Sequence, residues 1–165
     1  MKCLFCNNAE MLCEKKQYHY RESGLDNVYL EGVEIFSCPS CNEELVSVPA
    51  VPELHSLIGK HLTEKKSLLN GKEIRFLRKN AGLSAEHFSK KMGVDNSVIS
   101  GWESGEHKLT SPNDRLIRLI YSGIKNIPIQ HLVNDNFEKI DPTVRERIPF
   151  VISLREWCKP DVCQT

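Results

Sequence analysis

The sequence predicts an α+β protein in which a small antiparallel β module precedes an all-α part of five helices. The β module is predicted by two CxxC pairs, Cys3/Cys6 and Cys38/Cys41, which enclose segments rich in β-forming residues. The helical part is predicted from Pro52 onward, because apolar residues there recur at helical spacing between capping residues.

The composition of the chain is that of an ordinary globular protein, but its charge is unevenly distributed. Its 165 residues are 40% hydrophobic, which suits a core in one or two domains. It lacks both a run of about 18 apolar residues and a secretory signal, so we expect no membrane contact and a cytoplasmic location. Residues 1–54 carry 4 basic and 9 acidic side chains, whereas residues 72–125 carry 10 basic and 6 acidic ones. This division indicates two partners of opposite charge, or a solvated surface without partners.

The cysteines of the two CxxC pairs form a metal-site pattern. Seven cysteines in a chain without a secretory signal favour metal binding over disulfides. Two such pairs complete the tetrahedral set of four sulfurs that Zn2+ prefers. We therefore predict one structural Zn2+ per chain, bound by Cys3, Cys6, Cys38 and Cys41, in a zinc-binding β module over residues 1–51. Four thiolates leave no position for water, which argues against hydrolysis; a redox pair or free thiols are the alternatives.

The segments between the two pairs predict the strands of this module. Residues 17–21 and 28–36 are rich in β-forming side chains and are separated by turn residues. Asn7 and Asn42 each follow a CxxC pair, where the chain often needs the left-handed conformation that Asn tolerates. Three cysteines remain outside the pattern: Cys13, Cys158 and Cys163. We expect the first of them to be a buried small hydrophobe and assign no role to the other two.

Residues 52–70 predict a helical connector, and three short helices follow between Lys72 and Gly105. Each begins at a residue suited to capping, and the first also has an acid three residues later: Asn70 with Glu73, then Ser84, then Asp95. Gly82 and Gly93 lie at the breaks between the helices, where a left-handed residue costs little. The second and third helices therefore meet across a turn of a few residues, which is the geometry of a helix-turn-helix.

A further helix is predicted with Ser111 as its cap, Pro112 in its first turn and Asp114 three residues after the cap. Its packing face consists of apolar residues: Leu116, Ile117, Leu119 and Ile120. In the tail, residues 150–155 alternate like a half-buried strand but fit a helix equally well. We treat residues 126–165 as a C-terminal extension and a candidate for dimerisation.

Residues 83–105 resemble the Xre/lambda-repressor-like family. The residues that fall on the family pattern are Leu83, Ser84, Phe88, Met92, Gly93, Val94, Ile99, Ser100, Trp102, Glu103 and Gly105. The resemblance implies a DNA-binding helix-turn-helix domain over residues 71–125, whose third helix lies in the major groove. Ala85 replaces the usual Gln, and Gly101 stands where a long Arg, Lys or Gln is common. A three-helix unit that shares only the apolar spacing is the alternative.

The resemblance also guides the choice of DNA-contacting residues. In the proteins that this domain resembles, the base-reading positions correspond to Ser97 and Gly101. The resemblance therefore implies the fold but not the operator sequence. Asn96 is the nearest residue able to form paired hydrogen bonds with adenine, and Ser100 shares its exposed face. We predict contacts to bases or phosphates from Ser84, Lys90, Lys91, Asn96, Ser97, Ser100, Gly101, Lys108 and Arg115.

The order of the parts resembles the MqsA/YgiT-type antitoxins over about residues 1–122. The resemblance implies a transcriptional repressor without enzymatic activity, acting as the antitoxin of a type II toxin-antitoxin pair. It further implies a zinc module that neutralises a ribonuclease toxin, and a homodimer on a palindromic operator in double-stranded DNA. The alternative is a solo or phage-linked Xre-family regulator whose zinc module binds another protein.

Overall fold

The structure is a computed structural model of the chain and describes residues 1–130, 132–133, 140 and 150–157. The chain forms two compact units. The N-terminal unit contains Met1–Arg21, Asp26–Leu54 and the described tail residues 150–157. The helical unit contains Glu22–Leu25 and the described residues from His55 to 140. The predicted α+β class, with a small sheet followed by five helices, is confirmed.

The secondary structure follows the predicted order, with additions. The strands are β1 (Leu12–His19), β2 (Val28–Ser37), β3 (Glu44–Ser47) and β4 (Phe150–Ser153). The helices are α1 (Val51–Glu64), α2 (Gly71–Asn80), α3 (Ala85–Met92), α4 (Asn96–Ser104), α5 (Ser111–Ile124) and α6 (Leu154–Trp157). None of the described helices is long and apolar enough to cross a membrane.

The sheet of the N-terminal unit is built around β2. β1 and β3 pair with β2 in antiparallel orientation, and β4 pairs with it in parallel. Val28, Leu30 and Val33 are completely buried, so β2 supplies much of the core on its inward face. The sequence predicted segments of β1 and β2, but it indicated no strand at residues 44–47.

The fourth strand comes from the C-terminal tail. Phe150 lies opposite Val28 and begins a parallel register along β2. Ile152 is 1% exposed whereas Val151 is 47% exposed, which is the alternation of a half-buried strand. α6 follows at once, and the Trp157 indole Nε1 donates to the Pro49 carbonyl at 3.0 Å. The sequence left strand and helix as alternatives for residues 150–155, and the structure has a strand followed by a helix. The role of residues 126–165 in dimerisation stays a prediction.

Most of the predicted helix caps are present. The Asn70 side chain accepts from the backbone N–H of Glu73, whose carboxylate accepts from the N–H of Asn70. Ser84 caps α3 by accepting from the backbone N–H of His87 at 3.1 Å. Gly93 ends α3 with φ of 69°, in the left-handed region that glycine adopts without strain. Asp95 occupies the cap position of α4 without a side-chain hydrogen bond.

The start of α5 differs from the prediction. Thr110 occupies the cap position, and Ser111 is the first helical residue. The carboxylate of Asp114 does not cap this helix: it accepts from the N–H of Leu69 at 2.8 Å and pairs with Arg118 at 2.8 Å. Arg118 is completely buried, and a buried guanidinium requires a carboxylate partner. Tertiary charge pairing therefore determines the role of this acid.

The same arginine joins the predicted connector to the helical unit. Its guanidinium donates to the backbone carbonyls of Leu62, Thr63, Lys65 and Ser67. Leu62 and Thr63 lie in the last turn of α1, and Lys65 and Ser67 lie just after it. Carbonyls at a helix end have no donor within the helix. Ile58 and Leu62 of α1 are also completely buried. Residues 55–70 of the predicted connector therefore pack as part of the helical unit, whereas residues 52–54 belong to the N-terminal unit.

Candidate metal centre and nucleic-acid interface

The structure brings the four predicted metal ligands together. The Sγ atoms of Cys3, Cys6, Cys38 and Cys41 all lie within 4.8 Å of one another. Cys3 and Cys41 are separated by 3.6 Å between their sulfurs, as are Cys6 and Cys38. A tetrahedral ion with metal–sulfur bonds of about 2.3 Å places its sulfurs roughly 3.8 Å apart. The cluster therefore has the size and chemistry of a structural metal site.

Each CxxC pair is shaped by a turn of the backbone. The N–H of Asn7 donates to the Cys3 carbonyl at 3.1 Å, and that of Asn42 to the Cys38 carbonyl at 2.9 Å. Both asparagines are left-handed, with φ of 54° and 59°, as predicted from their position after each pair. Met11 and the buried cysteines Cys3 and Cys38 form a small core at this site. The positions of the two cysteines in each pair are thus set by hydrogen bonds within their own turn.

The electrostatics of the cluster favour a bound cation. The pKa of the Cys3 thiol is lowered to about 6, because the backbone N–H groups of Cys6 and Phe5 stabilise its thiolate. The backbone N–H of Glu43 favours the Cys41 thiolate too, but desolvation and the three neighbouring thiols raise its pKa to about 12. Four thiolates at this separation repel one another, and a divalent cation removes that repulsion.

Of the three remaining cysteines the structure describes only Cys13, which does not join this cluster. Cys13 lies on β1 and is exposed, so the expectation that it is a buried small hydrophobe is wrong. The reason is that β1 pairs on one side only and most of its side chains face solvent. Cys158 and Cys163 lie outside the described residues.

In the helical unit, α3 and α4 meet across a short turn as predicted. Phe88 and Met92 of α3 and Ile99 and Trp102 of α4 are all buried, so the apolar faces of both helices point into one core. The N–H of Val94 donates to the carbonyl of Ser89 at 3.1 Å and closes the turn. Trp102 is therefore part of the core of the helical unit. The opposite face of α4 is left exposed to solvent.

A pair of charged residues that the sequence analysis missed anchors the end of α4. The Arg78 guanidinium of α2 binds the Glu103 carboxylate through two hydrogen bonds of 2.6 and 3.0 Å. It also donates to the carbonyl of Leu83, just before α3, at 2.9 Å. Gly71 permits the close approach of α2, because a Cβ there would lie 2.4 Å from the Glu103 carbonyl oxygen. Residues 25 positions apart share no helical or strand period, so no local pattern signals this pair.

Most of the predicted DNA-contacting residues are exposed. Those on the surface are Ser84, Lys90, Lys91, Asn96, Ser97, Ser100, Lys108 and Arg115. Gly101 is different: it is buried, and the His107 ring lies over it. The Ser84 hydroxyl oxygen accepts the hydrogen bond that caps α3, and Lys90 pairs with Glu86 at 2.7 Å. The contacts of these residues with DNA stay predictions.

Comparison with known families gives one match. Residues 74–120 match the family described as Helix-turn-helix. No curated protein matches the chain. The matched segment contains α3, the turn at Gly93 and α4, which are the elements that the sequence assigned to this motif. The match supports a helix-turn-helix of the Xre type within residues 74–120, the kind found in DNA-binding regulators.

Proposed function

We propose that this protein is a sequence-specific transcriptional repressor that also serves as the antitoxin of a type II toxin-antitoxin pair. The observation that carries the DNA-binding part is the helix-turn-helix match at residues 74–120, together with the exposed polar start of α4. The antitoxin part rests on the order of modules and on the surface of the N-terminal unit.

The exposed start of α4 has the chemistry of a base-reading surface. Asn96, Ser97 and Ser100 are exposed there, and all can form hydrogen bonds with base edges or phosphates. Asn96 alone among them can make the bidentate contact that distinguishes adenine. The basic excess of residues 72–125 supplies the phosphate-directed attraction that accompanies such readout.

The metal of the N-terminal unit is proposed to be a structural Zn2+. Zn2+ is the common ion for four tetrahedral thiolates, and the sulfur separations of 3.6 Å suit it. When bound, it supplies charge neutralisation and a cross-link between two distant turns. The residues around it form only a small core, Met11, Cys3 and Cys38, so the ion stabilises what apolar burial alone does not.

The N-terminal unit also carries a surface suited to a protein partner. Leu4 and Phe5, which lie between the first two metal ligands, are 78% and 68% exposed. Large apolar side chains exposed on a turn held by a metal are typical of a recognition surface. Residues 1–54 are acidic, so a basic partner such as a ribonuclease toxin is complementary in charge. A solo regulator that binds a different protein through this surface is the second candidate.

A homodimer is proposed because one helix-turn-helix covers only half of a palindromic site. A dimer places its two recognition helices about 34 Å apart, one turn of duplex. On α5, Leu116 and Ile124 are exposed, although the sequence predicted Leu116 for the packing face. Gly123 of the same helix has open space where a Cβ would lie, so another helix can approach closely. The apolar surface of α5 is therefore a candidate dimer interface.

DNA binding can be tested with duplexes tiled across the region upstream of the gene. Measured by fluorescence anisotropy, one palindromic duplex should bind at least about 10³-fold more tightly than a scrambled duplex of equal composition. Its affinity should fall steeply as salt rises, because each neutralised phosphate releases counterions. Equal affinity for all the duplexes would contradict sequence-specific repression.

The antitoxin part can be tested by co-expression with the product of an adjacent small reading frame. The full chain should co-purify with that product and abolish its ribonuclease activity. Replacing Leu4 and Phe5 with Ser should abolish both effects, whereas Leu45→Ser, at a 39% exposed position on β3, should leave them intact. Inhibition that persists in the double variant would remove this surface from the interaction.

A further inference from the structure

The middle of α4 contains a glycine beneath a histidine ring. A Cβ built on Gly101 would lie 2.3 Å from Nδ1 of His107, 2.6 Å from its Cγ and 2.7 Å from its Cε1. These separations are too short for any side chain, so the imidazole fills the space that another residue would need. A glycine inside a helix costs about 1 kcal/mol relative to Ala. The missing side chain at Gly101 therefore leaves room for the His107 ring against α4.

The turn after α4 holds the histidine in this position. Gly105 ends α4 in the left-handed conformation with φ of 83° and reverses the chain. The backbone N–H of His107 then donates to the carbonyl of Gly101 at 2.9 Å. The same glycine thus receives both the backbone hydrogen bond and the ring. The position of the imidazole is consequently set by the helix, although the side chain remains exposed.

Gly101, with the His107 ring over it, lies on the polar face of the recognition helix α4. Residues three and four positions apart share one face of a helix, so Ser97 precedes Gly101 by one turn on that face. Ser97 and its neighbour Ser100 are exposed and have only short hydroxyl side chains. The ring of His107 is the larger polar group there, and its Nδ1 edge is the one nearest to the helix. Nε2 is accordingly the ring nitrogen farther from α4.

We propose that His107 is a base-reading residue of this domain and selects a purine, with guanine preferred, through its Nε2–H. In the major groove guanine presents two acceptors, N7 and O6, whereas adenine presents N7 beside an amino donor. An imidazole N–H held on the groove-facing side of α4 therefore meets its best partner in guanine. This inference rests on the proposed DNA binding and adds a determinant of specificity from outside the recognition helix.

The test is selection of preferred half-sites from a random duplex library. The wild-type protein should select a purine at one position, and His107→Ala should reduce that preference roughly tenfold while leaving the other positions unchanged. Gly101→Ala should lose the same preference although the histidine remains, because its Cβ displaces the ring. Its helical unit should be as stable as the wild type or more so, because the helix gains an alanine.

Lys108→Ala is the matched control from the same turn. A phosphate contact positions the protein without reading bases, so this variant should weaken binding to all sequences alike and lower the salt slope by about one. A His107→Ala protein that keeps the full wild-type preference would overturn the inference while leaving the proposed function in place. A wild-type protein that binds no duplex at any salt concentration would overturn both.

Discussion

Removing the Arg78 guanidinium should destabilise the helical unit far more than removing its neighbour Arg75, although both reach Glu103. Arg78 lies 2.6 Å from the carboxylate, and both side chains of this pair are only about one-tenth exposed. Its pKa is raised by the hydrogen bond to Glu103. Arg75 lies 3.8 Å away and is 61% exposed. The two arginines thus form a matched comparison on one acid.

The expected magnitudes follow from burial. Arg78→Ala leaves a nearly buried carboxylate without its bidentate partner, which costs about 3 kcal/mol of the free energy of unfolding. It also removes the donor to the Leu83 carbonyl between α2 and α3. Arg75→Ala breaks a long, solvent-screened contact and should cost under about 1 kcal/mol. The difference between the two variants should therefore be at least about 2 kcal/mol.

Urea unfolding followed by helical circular dichroism measures both values. A double-mutant cycle with Glu103→Ala should give a coupling of about 1.5–3 kcal/mol for Arg78 and near zero for Arg75. Since Glu103 ends the recognition helix, Arg78→Ala should also weaken operator binding. Equal losses of stability for the two arginines would refute the argument from burial.

Four further outcomes are expected. Cys38→Ser should release the metal and unfold the N-terminal unit while the helices remain folded. The control Cys13→Ser should retain one metal per chain by mass spectrometry. Full metal occupancy in Cys38→Ser would contradict the proposed ligands. Asn96→Ala should weaken operator binding by about 1–3 kcal/mol and relax one base position, and an unchanged site preference would exclude its reading role. Ile120→Arg should convert the dimer to a monomer in light scattering, since a charge on the apolar face of α5 opposes association; a dimer that persists moves the interface elsewhere. Truncation after residue 149 should lower the urea midpoint of the N-terminal unit, because it removes β4 from the edge of β2; an unchanged midpoint would contradict that pairing.

Much of the fold and of the metal site could be predicted because the signals are local. The two residues between the cysteines of each pair predict a metal-binding turn. Asn7 and Asn42 adopt the left-handed conformation that these turns require. The capping box of Asn70 and Glu73 likewise depends on residues three apart. Each of these features is complete within one turn of chain.

The features that escaped prediction depend on contacts that form only when the chain folds. β4 pairs with residues more than a hundred positions earlier, and its alternating pattern fitted a strand or a helix equally well. Asp114 looked like a capping acid, but the buried charge of Arg118 takes its carboxylate instead. Gly101 stands where a long side chain is common, and no local pattern signals that the ring of His107 lies over it.

The sequence by itself determined the order of sheet and helices, the cysteine cluster and the helix-turn-helix, because periodicity, capping and CxxC turns act over a few residues. Only the tertiary structure decided how the tail joins the sheet, which acid balances Arg118, and what covers Gly101. The physical reason is that burial makes the partner of a charged group selective, and burial is created only when distant segments meet. At the end of α4, the turn at Gly105 brings the ring of His107 to the place where a side chain of residue 101 would lie.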